Sequence, residues 1–148
     1  MVKISDKLNQ MTPYDASDEQ YAVMLNANES FVPLGSLAEE KMQAKLKEVA
    51  FNRYPDPTAR ALCRQFAQNY HVDERLVTAG NGSDEIIGLL YSCLLDYQDK
   101  VMTLEWDFSM YHFYCHLYGC QHIMVNKRSD LTVDVDAVIV ACQKEKPQ

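Results

Sequence analysis

Between residues 76 and 126 short apolar runs alternate with longer amphipathic ones, and this alternation restricts the fold more than any other feature of the chain. LVTA (76–79), KVMTLE (100–105) and QHIMVN (121–126) have the length and composition of strands. SDEIIGLLYSCLLDY (83–97) and FSMYHFYCHLYG (108–119) have the length and apolar spacing of helices, the second stopped by Gly119. Strands separated by helices call for parallel β-α-β units, with helices covering a sheet and right-handed crossovers. A chain of 148 residues is long enough to bury a core within one domain.

The flanking segments are read in the same way. Residues 1–35 carry Pro13, Pro33 and Gly35 as breakers and are expected to form an extended arm. Ser36 is expected to cap a helix over SLAEEKMQAKLKEVAFN, with acids early and lysines late, as the helix dipole favours. Leu37, Met42, Leu46 and Val49 fall roughly on one face of it. Pro57 suits the first turn of the next helix, TARALCRQFAQNYH. The tail VDVDAVIV alternates as a strand would, but the spacing of Val135, Val138, Ile139 and Cys142, with lysines following, favours a helix.

Charge and cysteine content exclude several function classes. A net charge of -7 and a pI near 5.0 disfavour nucleic acid or an anionic membrane as the main partner. No apolar run reaches the roughly 20 residues of a membrane span. The N-terminus lacks the apolar stretch of a signal peptide, so a cytoplasmic location is expected. The five cysteines are odd in number and none is spaced C-x-x-C, which reads as buried free thiols in a reducing compartment. His112 and His116 are spaced for one helix face, but no third ligand accompanies them, so no metal site is expected.

The junction Gly80-Asn81-Gly82-Ser83-Asp84-Glu85 is the main candidate for chemistry. A helix start carries unpaired N–H groups and a positive partial charge, and glycines let backbone approach a ligand closely. The segment therefore reads either as a cup for an anion or as an ordinary strand-to-helix turn. Gly80-x-Gly82, with Glu105 at the end of the next strand, also partly matches a dinucleotide fingerprint. However, Glu85 stands at the third glycine position.

Three segments, LNANES (25–30), NRYPDP (52–57) and GNGSDEII (80–87), occur together, with FSMY (108–111) as a weaker fourth. In their order and spacing the sequence resembles the fold type I aminotransferases that use pyridoxal 5'-phosphate (PLP), most closely the histidinol-phosphate aminotransferase family. The resemblance implies an α/β three-layer sandwich with a mainly parallel sheet. Residues 1–35 would be its N-terminal arm and 36–148 the first half of the large PLP-binding domain. It implies that Gly82, Ser83 and Asp84 hold the PLP phosphate, that Phe108 stacks on the pyridine ring, and that Tyr54 reaches across a homodimer interface to the partner's phosphate. Asn26, Asn28 and Glu29 would close over the substrate. Trp106 and Asp107 replace the family's usual proline and threonine.

The family's Schiff-base lysine lies in a Ser-x-Ser-Lys context, and no lysine here has that context. The resemblance therefore implies an N-terminal portion, inactive alone, of an enzyme that transaminates histidinol phosphate with 2-oxoglutarate in histidine biosynthesis. The alternatives are another fold type I enzyme, such as an aromatic aminotransferase or a phosphothreonine decarboxylase, and a non-enzymatic phosphate- or nucleotide-binding domain.

Overall fold

Two of the three expected strands form and pair. A computed structural model of the chain describes residues 3, 5–9, 11, 21–25 and 27–148. Strand β1 is Lys100–Leu104 and β2 is Gln121–Val125. They run parallel in register from Lys100 opposite Gln121 to Leu104 opposite Val125. Of the helices, α1 is Asp6–Asn9, α2 Ser36–Leu46, α3 Arg60–Tyr70, α4 Gly82–Leu94, α5 Ser109–Tyr118 and α6 Val135–Glu145. Helix α5 is the crossover from β1 to β2 and ends at Gly119, whose φ of 72° is the left-handed turn the sequence asked of it. The chain divides into two units, Met1–Pro13 with Thr78–Gln148, and Tyr14–Val77.

In the first unit α4 packs on α5. Ile87, Tyr91 and Cys115 are buried at the contact, with Leu95, Val101, Tyr111, Tyr114 and Cys120 around them. Removing side chains of this size from water stabilises the fold by about 1.5–3 kcal/mol each. The Tyr91 hydroxyl donates to the Tyr111 carbonyl at 2.8 Å, so its buried polar atom is satisfied. Burial, with the neighbouring Cys115 and Cys120 thiols, pushes the Tyr91 phenol up to about 12. Burial also pushes the Cys115 thiol up to about 11, which keeps it protonated and unreactive. All five cysteines are free; Cys63 and Cys115 are buried, whereas Cys93 and Cys142 are exposed, contrary to the expectation of buried thiols. Exposed Cys142 still meets Met102 of β1, sulfur to sulfur at 3.6 Å, at the edge of α6.

Helix α6 forms because Asp134 caps it. The Asp134 carboxylate accepts from the Ala137 N–H at 3.1 Å and pairs with Arg128 at 3.2 Å. Lys100, at the start of β1, donates to the Glu145 carboxylate at 3.0 Å and anchors the far end. The Gln148 N–H donates to the Lys100 carbonyl at 3.1 Å, so the chain returns from α6 to β1. An apolar groove of about 500 Å³ lies along β1 and α6, lined by Val101, Met102, Leu104, Val133 and Val138 among others.

Several expectations are corrected. LVTA is not a strand: Leu76 closes a 3-10 turn, Glu74–Leu76. Val77 has extended dihedrals, but no ladder partner is found for it among the described residues, and a strand exists only by pairing. The residues before 35 include a helical turn, α1, whose Lys7 ammonium donates to the Leu117 carbonyl at 3.1 Å. Gly35, rather than Ser36, occupies the cap position of α2, with no side-chain capping bond. The helix stops at Leu46 and buries no residue, so Leu37, Met42, Leu46 and Val49 stay exposed.

In the second unit α3 starts at Arg60, three residues beyond Pro57. Asp56 sets that start by accepting from the N–H groups of Thr58 and Arg60 at 3.1 and 3.0 Å. These bonds, the Thr58 backbone first, hold its carboxyl well below the usual carboxylate range. Cys63 and Ala67 are the buried residues of α3, and Arg64 joins it to Glu74 at 3.1 Å.

Two predictions follow from this packing. Tyr91→Ala should cost about 3–5 kcal/mol in urea unfolding, while Tyr91→Phe, losing only the hydroxyl bond, should cost about 1 kcal/mol. A cost below about 1 kcal/mol for the alanine variant would place the core elsewhere. The second concerns His122, whose ring nitrogen lies 2.7 Å from Thr103 Oγ1 and whose ring centroid is 4.9 Å from that of His112. Desolvation, then His112, lowers its pKa from the ordinary value of 6.5. A lowered folded value means the unfolded chain binds the proton more readily. The contribution is therefore complete above the ordinary value and is lost as pH falls through the folded one. Unfolding midpoints should drop as pH falls from about 7 to about 5, and His122→Gln should flatten that slope; an equal slope in the variant would exclude His122 as its source.

Candidate functional site

The start of α4 is an open turn made by two glycines with different tasks. Gly82 is the first residue of α4 and has φ of 83°, a left-handed conformation that any other residue adopts only under strain. A Cβ built on it would meet nothing within 4 Å, so the space above the turn is free. Gly80 is the opposite case: a Cβ there would lie 2.6 Å from Ile86 Cδ1 and 3.0 Å from a Glu85 carboxylate oxygen. Its backbone is packed onto the first turn of the helix. The Asn81 N–H donates to the Glu85 carboxylate.

Gly82, Ser83 and Asp84 are all exposed. The first N–H groups of an α-helix have no partner within it and carry a positive end charge; the Gly82 N–H donates to the Gly80 carbonyl at 3.1 Å, so the amides of Ser83 and Asp84 are the ones a ligand would meet. A cradle of this kind fits an anion of phosphate size. Asp84 also bears on the core, since the Tyr114 phenol is raised above its ordinary value by burial, then by Asp84 and Tyr118.

Phe108 lies in the same unit, at the cap position of α5, with extended dihedrals and a partly exposed ring. Its ring meets Tyr111 edge-on at 5.8 Å, which leaves a face of the phenyl group unstacked by that neighbour. The turn before it is built without the proline. Trp106 has φ of 55°, and the Asp107 carboxylate accepts from the Phe108 N–H at 2.8 Å.

The remaining expected residues belong to the second unit. Tyr54 is fully exposed. Asn28 has φ of 53°, and Glu29 is exposed. Asn26 lies outside the described residues. Glu105, the acid considered for a ribose, instead accepts from the Lys127 N–H at 3.3 Å. Sequence reasoning weighed Glu85 as the residue that breaks a dinucleotide fingerprint; its bond to Asn81 had a signal only in the four-residue spacing.

This geometry, an open N-terminus of α4 that begins at a left-handed glycine, just ahead of the parallel β1-α5-β2 unit, coincides with a family match. The chain belongs to the aminotransferase class I and II family, whose model matches residues 21–148. It is 38% identical over 136 residues to the histidinol-phosphate aminotransferase of Clostridium novyi, covering 92% of this chain and 38% of that protein. It is 33% identical over 141 residues to that of Thermococcus kodakarensis, covering 95% of this chain and 41% of the relative. The chain thus spans about 40% of the length of the curated relatives it matches.

Among solved structures, the histidinol-phosphate aminotransferase of Sinorhizobium meliloti in complex with pyridoxal-5'-phosphate superposes with a TM-score of 0.79 at 18% identity. The match covers 99% of this chain and 41% of that one. The α-aminoadipate aminotransferase LysN of Thermus thermophilus gives 0.60 at 21% identity, over 75% and 28% of the two chains. These likenesses establish the α/β fold expected from the sequence.

The two glycines yield distinguishable outcomes. Gly82→Ala should destabilise by about 1–2 kcal/mol through backbone strain alone. Gly80→Ala should destabilise through contact with Ile86, and Ile86→Val, which removes Cδ1, should restore part of the loss in a double-mutant cycle. Thermal melts of the four variants check this; a fully additive Gly80–Ile86 pair would show that the two do not touch.

Proposed function

We propose that this chain supplies the N-terminal part of a PLP-dependent aminotransferase acting on histidinol phosphate, with 2-oxoglutarate as the amino acceptor. The observation that carries the reading is the open cradle at Gly82, Ser83 and Asp84, within a chain matched to the aminotransferase family over residues 21–148. Relatives bearing the histidinol-phosphate name support the substrate.

Bound PLP would supply an electron sink for the carbanion formed at the amino carbon. The residues of this chain hold and orient it. Amides of Ser83 and Asp84 would donate to the phosphate, each hydrogen bond to a charged group stabilising it by about 1.5–3 kcal/mol, while Gly82, whose N–H donates to the Gly80 carbonyl at 3.1 Å, would shape the turn that lets the phosphate approach. The Phe108 ring would cover one face of the pyridine. In a homodimer of the whole protein, Tyr54 would donate its hydroxyl to the partner's phosphate, and its exposure leaves it available to do so. Asn26, Asn28 and Glu29, in an arm formed by residues 1–35, would close over the substrate. Residues 36–148 would form the first portion of the large domain, in a cytoplasmic enzyme. Among the described residues no helix is long and apolar enough to cross a membrane.

The proton-shuttling lysine would come from polypeptide outside this chain. None of Lys3, Lys7, Lys41, Lys45, Lys47, Lys100, Lys127, Lys144 and Lys146 has the Ser-x-Ser-Lys context. Borohydride reduction after incubation with PLP, followed by peptide mapping, should therefore find no single lysine labelled stoichiometrically. A specific adduct at one of these lysines would overturn the assignment of the nucleophile.

A further inference from the structure

Glu85 points toward the turn that the cofactor reading depends on. Its carboxylate accepts the Asn81 N–H from four residues further along the chain, reaching back over the first turn of α4. The same carboxylate lies 3.0 Å from the position a Cβ would take on Gly80, so it is packed against that residue as well as bonded to the next. Ile86 fills the rest of the space above Gly80. Gly82, immediately after, is the left-handed residue that turns the chain into the helix. Glycine is the residue with the most conformational freedom to lose, and two of them flank Asn81. One backbone bond, from the Gly82 N–H to the Gly80 carbonyl at 3.1 Å, spans the exposed Gly-Asn-Gly segment; the Glu85 carboxylate adds the tie from the turn to the helix beyond it.

We propose that Glu85 is a positioning residue: by clasping the Asn81 amide it holds the glycine turn in the shape that aims the Ser83 and Asp84 amides at the cofactor's phosphate. This inference rests on the reading that those amides bind that phosphate. Glu85 itself does not touch the ligand. An acceptor is what the role requires, so glutamine can replace glutamate while alanine cannot.

The test is an amide chemical-shift titration of the 148-residue chain with pyridoxamine 5'-phosphate and, separately, with pyridoxamine, neither of which forms a Schiff base with lysine. The unmodified chain should prefer the phosphorylated compound, with shifts at Ser83 and Asp84. Glu85→Ala should lose about fivefold of that preference, the equivalent of one ordinary hydrogen bond. Glu85→Gln should stay within about twofold of the unmodified chain. Amide exchange at Asn81 should be slow in the unmodified and glutamine chains and fast in the alanine chain. Equal binding of the two compounds by the unmodified chain would remove the phosphate reading, and this inference with it. A clear preference left unchanged by Glu85→Ala would overturn the positioning role alone. If the alanine chain does not fold, Asn81 exchange in the unmodified chain decides: exchange as fast as at Thr78 and Ala79 overturns the clasp.

Discussion

The contact between α4 and α5, centred on Tyr91 and Cys115, is the constraint on which the first unit depends. Its apolar content fixes the two helices side by side, and the Tyr91 hydroxyl bond to the Tyr111 carbonyl fixes their register. The candidate cradle is the N-terminus of α4, and Phe108 is the residue preceding α5. Holding one helix against the other therefore holds both ends of the candidate site in the same unit. The core at this contact is small, Ile87, Tyr91 and the tightly enclosed Cys115, with the rings of Tyr111 and Tyr114 packed around it.

What was legible in the sequence was whatever local chemistry decides. The ambiguous tail resolved as a helix because Asp134 could satisfy its first amides, a signal written three residues ahead of Ala137. Gly119 ended α5 where a left-handed residue was needed. Residues 76–79 failed as a strand because strand formation is a property of pairs. Their branched residues carry the propensity, but no described residue offers the ladder. The start of α3 was misplaced because proline's preference for a first turn is weaker than an aspartate that accepts two backbone N–H groups. Helix α2 formed but stopped at Leu46, short of the expected Asn52, and its apolar face meets no cover among the described residues.

The candidate site was legible mainly through motif conjunction. Each segment alone admits an ordinary structural role: GNGSDE as a turn, Tyr54 as a surface tyrosine, Phe108 as a helix-start residue. Geometry adds that the turn is open and that its two glycines differ, one free above its Cα and one pressed onto Ile86. Spacing does not report that difference, because it depends on which side of the turn each Cα faces. The residues carried by the second unit, Tyr54, Asn28 and Glu29, are exposed, and their roles rest on the family likeness.

The parallel pairing of β1 with β2 is joined by one short crossover, from Leu104 to Gln121. Closing a loop that small costs little chain entropy, and the cost grows only slowly with length. The β1-α5-β2 segment thus closes at a low cost in chain entropy. Whatever pairs later must accept a direction and a register already set by two strands of five residues each.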